Sequence, residues 1–122
     1  MSVALSSCKK LPSEYNLGIA NGTNETFSEV GVFLMPKGFH SGGFLNKTNT
    51  SWYMMINHWP VPNEIKVTFS DSHSVSHELN MKTGIKKNFR GDILITIKKD
   101  KDGKYYLDLK TGKDRELCIE KI

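Results

Sequence analysis

The chain contains the three residue types of a serine hydrolase triad, since Ser41, His40 and Asp71 supply a nucleophile, a base and a carboxylate. The sequence around the serine is Gly38-Phe39-His40-Ser41-Gly42, which is not the G-x-S-x-G elbow of hydrolases. That elbow also occupies a strand-to-helix turn, which a sandwich of strands lacks. We therefore predict no catalytic residues and no enzymatic activity.

The metal-ligating residues do not form a recognisable metal or cofactor site. Zinc sites gather cysteine and histidine at short spacings, whereas the histidines here are scattered at His40, His58, His73 and His77. The last two are four positions apart, which places them about 13 Å apart on a strand. No glycine-rich loop joins a predicted strand to a helix, as a phosphate-binding loop does. We predict no metal and no cofactor.

Large amphipathic side chains are concentrated in the middle of the chain, in or beside segments held by glycine and proline. Tryptophan and tyrosine in such positions are typical of protein-binding hot spots. We predict that a protein partner contacts five residues, namely His40, Phe44, Tyr53, His58 and Trp59. For Trp52 and Trp59 a second interpretation stays open, in which a tryptophan plugs the end of a hydrophobic core.

The elements that must position these residues are β-strands, because a period of two dominates the chain. The clearest example is the alternation of Ile65, Val67 and Phe69 with polar residues. The pattern predicts an all-β fold, a single antiparallel, immunoglobulin-like β-sandwich of seven to eight short strands over residues 15–122. The predicted inward residues include Val32, Leu34, Val67, Phe69, Ile93, Ile95, Leu107 and Leu109.

Two segments carry further predictions about local structure. Pro36 and Gly38 should end the strand that begins at Phe27, and the stretch from there to Asn46 is predicted to be a glycine-rich loop. Near the end of the chain we expect a short strand at Leu117–Ile119, with a helix over residues 113–121 as the alternative.

Composition limits the classes of partner. The 122 residues are 38% hydrophobic and 25% charged, as in one globular domain. Residues 1–81 hold five Lys and six acids, a net charge of −1, and residues 82–122 hold twelve basic residues and seven acids, a net charge of +5. This basic third is either a solvated sheet edge or a surface for an acidic partner. Its few aromatic residues argue against nucleic acid.

The first residues resemble the end of a bacterial lipoprotein signal. Leu5-Ser6-Ser7-Cys8 is similar to a lipobox, in which small residues precede the cysteine that becomes lipidated. We interpret residues 1–14 as a signal remnant and lipoprotein tether, with a membrane contact only through a lipid anchor at Cys8. A disulfide between Cys8 and Cys118 is the alternative.

Four N-glycosylation sequons begin at Asn21, Asn24, Asn46 and Asn49. Asparagine, threonine and glycine are also the residues of tight turns. We interpret the sequons as products of turn chemistry.

The order of these segments resembles a group of small bacterial lipoproteins that are encoded beside type VI secretion phospholipase effectors and act as their immunity proteins. The resemblance rests on a first strand with a polar turn, a Gly-Gly segment before an aromatic residue, a Trp-Pro connector, an alternating strand, and a final strand and hairpin. The matching residues are Gly18-Ile19-Ala20-Asn21, Ser41-Gly42-Gly43-Phe44, Trp59-Pro60, Ile65-Lys66-Val67-Thr68-Phe69, Asp92–Ile97 and Gly103–Leu109. Adjacent cysteines that members carry after the Gly-Gly segment have no counterpart in this chain.

This resemblance implies a non-catalytic periplasmic protein that binds and neutralises a cognate toxin of the phospholipase type. It also implies a location in the periplasm, anchored to the outer membrane as a lipoprotein. The alternative is a generic cell-envelope lipoprotein or an adhesin-like binding module.

Overall fold

Alternating sequence segments become eight strands in the computed structural model, which describes residues 14–114 and Leu117. Most strands carry apolar residues at every second position, and they end at glycine, proline or polar turn residues. The strands are β1 (Tyr15–Asn21), β2 (Phe27–Met35), β3 (Phe39–Leu45), β4 (Thr50–Ile56), β5 (Glu64–Ser70), β6 (Ser76–Lys82), β7 (Gly91–Lys99) and β8 (Tyr105–Gly112).

The strands form two four-stranded sheets, with orders β4-β1-β7-β8 and β3-β2-β5-β6. The sheets lie against each other in a sandwich-like arrangement, with β3 beside β4 at one side and β6 beside β8 at the other. This confirms the prediction of an all-β, two-layer fold.

The prediction of a purely antiparallel sandwich is wrong at one strand pair. Strand β1 runs parallel to β7, from Tyr15 opposite Gly91 to Asn21 opposite Ile97. An immunoglobulin constant domain pairs its first, second, fifth and fourth strands in one sheet. The order found here differs, because the first and second strands lie in different sheets.

The core between the sheets contains the predicted inward residues. Val32, Val67, Ile93 and Ile95 are completely buried, and Leu34 and Phe69 are nearly so. The two predicted residues of β8, Leu107 and Leu109, are half-buried against the same core. Their partial exposure follows from the place of β8 at the edge of its sheet.

Strand β1 is buried on both faces, whereas its alternation indicated only one buried face. Trp52 of β4 covers the outer face, and its ring lies so close to Gly18 that a Cβ there would be 2.9 Å from three ring atoms. Ala20, Leu94 and Leu117 are buried with it. The glycine is therefore required for the tryptophan to lie flat on the sheet.

Buried polar groups hold the end of the described chain on this outer face. The Asn16 side-chain amide donates to Asp92 and to Asp114, each at 2.8 Å. The second oxygen of Asp92 accepts the backbone N–H of Leu117 at 2.7 Å. Because buried polar groups are costly unless they are hydrogen-bonded, these bonds fix the position of Leu117 over Ala20 and Leu94.

The predicted glycine-rich loop before Asn46 is wrong, because Phe39–Leu45 forms strand β3. Its pairing with β2 shifts register near Gly43, whose φ is +58°. A β-bulge absorbs an extra residue in this way, and an edge strand tolerates one well. Glycine therefore allows the bulge here and does not end the strand.

Asn21 shows that turn chemistry explains at least the first sequon. The residue is 2% exposed, and its amide nitrogen donates to the carbonyl groups of Leu45 and Glu25 at 3.0 Å and 2.6 Å. Its side-chain oxygen accepts hydrogen bonds from the backbone and hydroxyl of Thr23. This buried amide links the β1–β2 turn to the end of β3.

Several predictions fall on residues outside the described ranges. They are the lipobox at Cys8, the tether before Glu14, the Cys8–Cys118 disulfide, and most of the strand or helix expected near the end of the chain, of which Lys113, Asp114 and Leu117 are described. Among the described residues, no helix has the length and apolarity needed to cross a bilayer.

Candidate functional site

Four of the five predicted partner-binding residues lie together in one group of rings. His40 of β3 stacks on Tyr53 of β4, with centroids 5.3 Å apart and an angle of 8° between the rings. The Tyr53 ring also contacts His58 and Trp59 edge-on, at 6.3 Å and 5.9 Å. His58 and Trp59 contact each other at 4.6 Å. We call these four residues the aromatic cluster.

The cluster closes the side of the sandwich where the edge strands β3 and β4 approach each other. His40 lies opposite the buried Val32, so it points inward between the sheets toward Tyr53. Tyr53 belongs to the other sheet, where it pairs with Leu17 of strand β1. The register of two separate sheets therefore brings these rings together across the gap.

The connector between β4 and β5 holds the other two members. Pro60 and Pro62 restrict its backbone, as the sequence indicates. The Tyr15 hydroxyl donates to the Pro60 carbonyl at 3.2 Å, and the N–H of Asn63 donates to the carbonyl of Met35 at 2.9 Å. The connector is thus fixed at its centre and at its β5 end, and His58 and Trp59 are presented on a pre-ordered backbone.

Trp59 is half-buried and contacts the core at the same time as the cluster. A Cβ on Gly38 would lie 2.8 Å from its ring, and the φ of Gly38 is +132°, a conformation that favours glycine. Trp59 therefore packs against the core and contacts the cluster at the same time. Trp52 instead packs on the outer face of its sheet, so neither tryptophan is freely exposed.

Of the two histidines in the cluster, His40 is the more buried. Burial lowers the pKa of His40 below its usual value, so the imidazole is neutral near pH 7. Its Nε2 atom is buried and has no hydrogen-bond partner among the described residues. His58 is exposed, and the other members are half-buried. The surface therefore offers flat rings with few charges, which suits a partner that contributes apolar and hydrogen-bonding groups.

Phe44 does not belong to the cluster. Its side chain is 77% exposed, beyond the bulge of β3, beside the buried Leu45. Phe39, 48% exposed, instead contacts Phe33 on the outer face of the same sheet, with ring centroids 4.8 Å apart. The structure brings together His40, Tyr53, His58 and Trp59 and leaves Phe44 separate.

A second polar network, which the sequence does not reveal, joins the sheets at the other end of the sandwich. Glu25 accepts hydrogen bonds from Lys99 at 2.8 Å, from Tyr105 at 2.7 Å and from Ser72 at 2.8 Å. The bonds from Lys99 and Tyr105 are the main causes that lower the pKa of Glu25 to about 2. Burial, with the bond to Glu25, raises the pKa of Tyr105 to about 12. These partners lie up to 80 positions apart in the chain, so no local pattern shows them.

His77, beside this network, is held by a hydrogen bond and by ring stacking. Its Nε2 lies 2.8 Å from an oxygen of Asp71, and its ring stacks on Phe69. Asp71 also accepts the backbone N–H groups of His73 and Val75. The bond to His77 is the largest cause that lowers the pKa of Asp71 to about 2. His77 is therefore a half-buried histidine with a hydrogen-bond partner in the structure.

The residue types of a triad are not assembled. Asp71 bonds His77, not His40, and Ser41 is exposed on the edge strand β3. Within residues 14–114 and Leu117, no group of three or more His, Cys, Asp or Glu is placed to hold a metal ion.

The comparisons with known proteins identify a fold but no family. A solved NMR structure of a protein from Eubacterium rectale is similar to this chain, with a TM-score of 0.64 and 13% sequence identity. The similarity covers 84% of this chain and 92% of that one. Neither the protein-family models nor the curated proteins give a match. At this identity the similarity shows the fold alone.

Proposed function

We propose that the protein is a non-catalytic immunity protein, which binds and neutralises a secreted toxin of the phospholipase type. The observation that carries the binding role is the convergence of His40, Tyr53, His58 and Trp59 on one surface. The toxin class rests on the resemblance of the sequence to immunity lipoproteins.

The physical properties of the cluster favour tight protein binding. Binding hot spots are aromatic side chains that fill pockets and exclude water. A contact loses least entropy when its side chains are ordered before binding. The stacked pair of His40 and Tyr53 and the proline-restricted connector meet this requirement. The cluster also lies beside the edge strands β3 and β4, where a large partner protein can approach it.

The basic third of the chain supports encounter with an acidic partner, but only part of it lies near the cluster. Lys98 and Lys99 are paired with Asp108 and Glu25, at 3.0 Å and 2.8 Å. The segment that contains Lys86 and Lys87 precedes Gly91, which lies opposite Tyr15 at the cluster end of β1. Because this segment lies nearer the cluster, we assign electrostatic steering to it.

The proposed location follows from the N-terminal sequence. A lipid on Cys8 would anchor the protein to the outer membrane, where it faces toxins that enter the periplasm. Residues 9–14, which follow the lipidated cysteine, would then serve as the tether that holds the sandwich away from the lipid surface.

The test is a neutralisation assay in bacteria. The reading frame next to the gene is expressed with a periplasmic signal, alone and together with this protein. We expect growth arrest and loss of membrane phospholipid from the toxin alone, and recovery with the wild-type protein.

Recovery should weaken when Trp59→Ala replaces the wild type and should persist with Ser41→Ala, since Ser41 has no catalytic role here. A neighbouring product that is harmless in the periplasm, or whose toxicity this protein does not reduce, would contradict the proposal and favour an adhesin-like or other envelope role. Ester or phospholipid turnover by the purified protein, abolished in Ser41→Ala, would contradict its non-catalytic character.

A further inference from the structure

A cavity of about 380 Å³ lies next to the aromatic cluster. Pro60, which directly follows Trp59, forms part of its wall. The cavity lies between the connector, the end of β2 and the segment that joins β6 to β7. Its described lining residues are Pro36, Pro60, Val61, Asn63, Ile85 and Lys87.

Hydrogen bonds hold the walls of this cavity in place from several sides. The backbone N–H of Thr83 donates to the carbonyl of Asn63 at 3.0 Å, and its hydroxyl donates to the carbonyl of Pro62 at 2.7 Å. The same hydroxyl accepts the N–H of Ile85 at 3.2 Å. Together with the bond from Asn63 to Met35, these contacts form the cavity before any partner arrives.

The chemistry of the lining selects one kind of ligand. Two prolines, Val61 and Ile85 supply apolar walls, so the interior favours an aliphatic or aromatic group. Lys87 is the charged residue among the described lining residues, and Lys86 lies beside it in the chain. Such an arrangement suits an apolar side chain with a carboxylate close to it.

We infer that this cavity receives an apolar anchor residue from an acidic segment of the partner protein, with Lys87 attracting the neighbouring carboxylate. The inference rests on the proposed function, because it extends the contact surface from Trp59 through Pro60 into the cavity. Hot spots on one protein commonly pair with pockets on the other, so the cluster and the cavity form one continuous binding surface.

The test is a titration of the full chain, labelled with ¹⁵N, with short capped peptides followed by NMR. The probe peptide is Ac-Glu-Leu-Glu-NH₂, and the controls are Ac-Lys-Leu-Lys-NH₂ and Ac-Glu-Gly-Glu-NH₂. We expect saturable shifts of the Val61, Ile85 and Lys87 amides with the probe. Loss of the leucine should weaken binding by about tenfold or more, because its apolar side chain is no longer buried.

Reversing the charges of the peptide, from Ac-Glu-Leu-Glu-NH₂ to Ac-Lys-Leu-Lys-NH₂, should weaken binding less than the loss of the leucine. The expected decrease is about twofold to fivefold, as for one exposed ion pair. The variant Lys87→Glu should reverse the preference between the acidic and basic leucine peptides, whereas Lys101→Glu, in the distant β7–β8 turn, should preserve it. Binding that does not depend on the leucine, or shifts located elsewhere, would overturn the inference.

Sodium octanoate separates a protein ligand from a lipid ligand. Saturation by octanoate at the same amides, without saturation by the probe peptide, would contradict the inference and indicate a fatty-acid site. The titration contains no toxin, so a negative result refutes the anchor cavity without bearing on the proposed function. The neutralisation assay tests the proposed function independently.

Discussion

Replacing Gly18 by alanine tests whether Trp52 is a structural part of the sandwich. Trp52 covers the outer face of the sheet at Gly18, together with Ala20, Leu94 and Leu117. If this packing is structural, Trp52 is not available as a binding residue, and the contact surface depends on Trp59 and its neighbours.

The size of the effect follows from the geometry. An added Cβ would lie 2.9 Å from three atoms of the Trp52 ring, so the ring must move. Adding volume to a packed contact costs about 1–3 kcal/mol. Alanine also lowers the conformational entropy of the unfolded chain, which stabilises the folded protein by about 0.4–1 kcal/mol. This gain applies because the φ of Gly18 lies outside the left-handed region. We expect the free energy of unfolding to fall by about 0.5–2 kcal/mol.

The assay is urea unfolding followed by far-ultraviolet circular dichroism in a double-mutant cycle. Trp52→Leu removes the ring that opposes the methyl group. In that background Gly18→Ala should be neutral or slightly stabilising. The coupling between the two positions should therefore account for most of the loss.

An equal loss in both backgrounds would refute this reasoning. The methyl group would then be opposed by something other than the Trp52 ring, and the structural role of Trp52 would have to be abandoned.

Three further predictions concern the core, acid stability and encounter. Val67→Asp should lower the free energy of unfolding by several kcal/mol in urea, because it buries an unpaired carboxylate; an equally stable variant would contradict the placement of β5. The pKa values of Glu25 and Asp71 are lowered, so the stability that these carboxylates add is present above about pH 5 and lost as pH falls toward 2. In Glu25→Gln the free energy of unfolding should therefore depend less steeply on pH below pH 5. An unchanged pH dependence would count against the network. Lys87→Glu should slow association with the toxin in stopped-flow measurements at low salt and Lys101→Glu should not, since Lys87 lies nearer the cluster; equal slowing would indicate an effect of net charge alone.

The strands that the sequence predicts best are those with one buried face. In β5, Ile65, Val67 and Phe69 are buried and the residues between them are half-buried, as the alternation indicates. Strand β3 could not be predicted from the sequence, because its glycines permit both a loop and a bulged edge strand. The parallel pairing of β1 with β7 also lacks a local signal, since it joins segments far apart in the chain.

The candidate site is predictable in its residue types but not in its geometry. Glycine and proline beside aromatic residues indicate where rings are presented, and His40, Tyr53, His58 and Trp59 do lie together. Phe44 has the same sequence context but lies apart, because the bulge in β3 turns it to solvent. The orientation of each ring depends on pairing across two sheets, which composition does not encode.

The most direct test of the aromatic cluster as the contact surface is the affinity of Trp59→Ala for the toxin. Surface plasmon resonance on the purified pair gives both rates, and thermal unfolding of the free variant confirms that it is folded. The control is Tyr106→Ala, because Tyr106 is 45% exposed on β8, at the opposite edge of the sheet from β4.

We predict that Trp59→Ala binds about thirtyfold more weakly, a loss of about 2 kcal/mol that arises mainly from faster dissociation. Tyr106→Ala should bind like the wild type. A folded Trp59→Ala variant with wild-type affinity would contradict the central claim, and the contact would then have to lie on another surface of the sandwich.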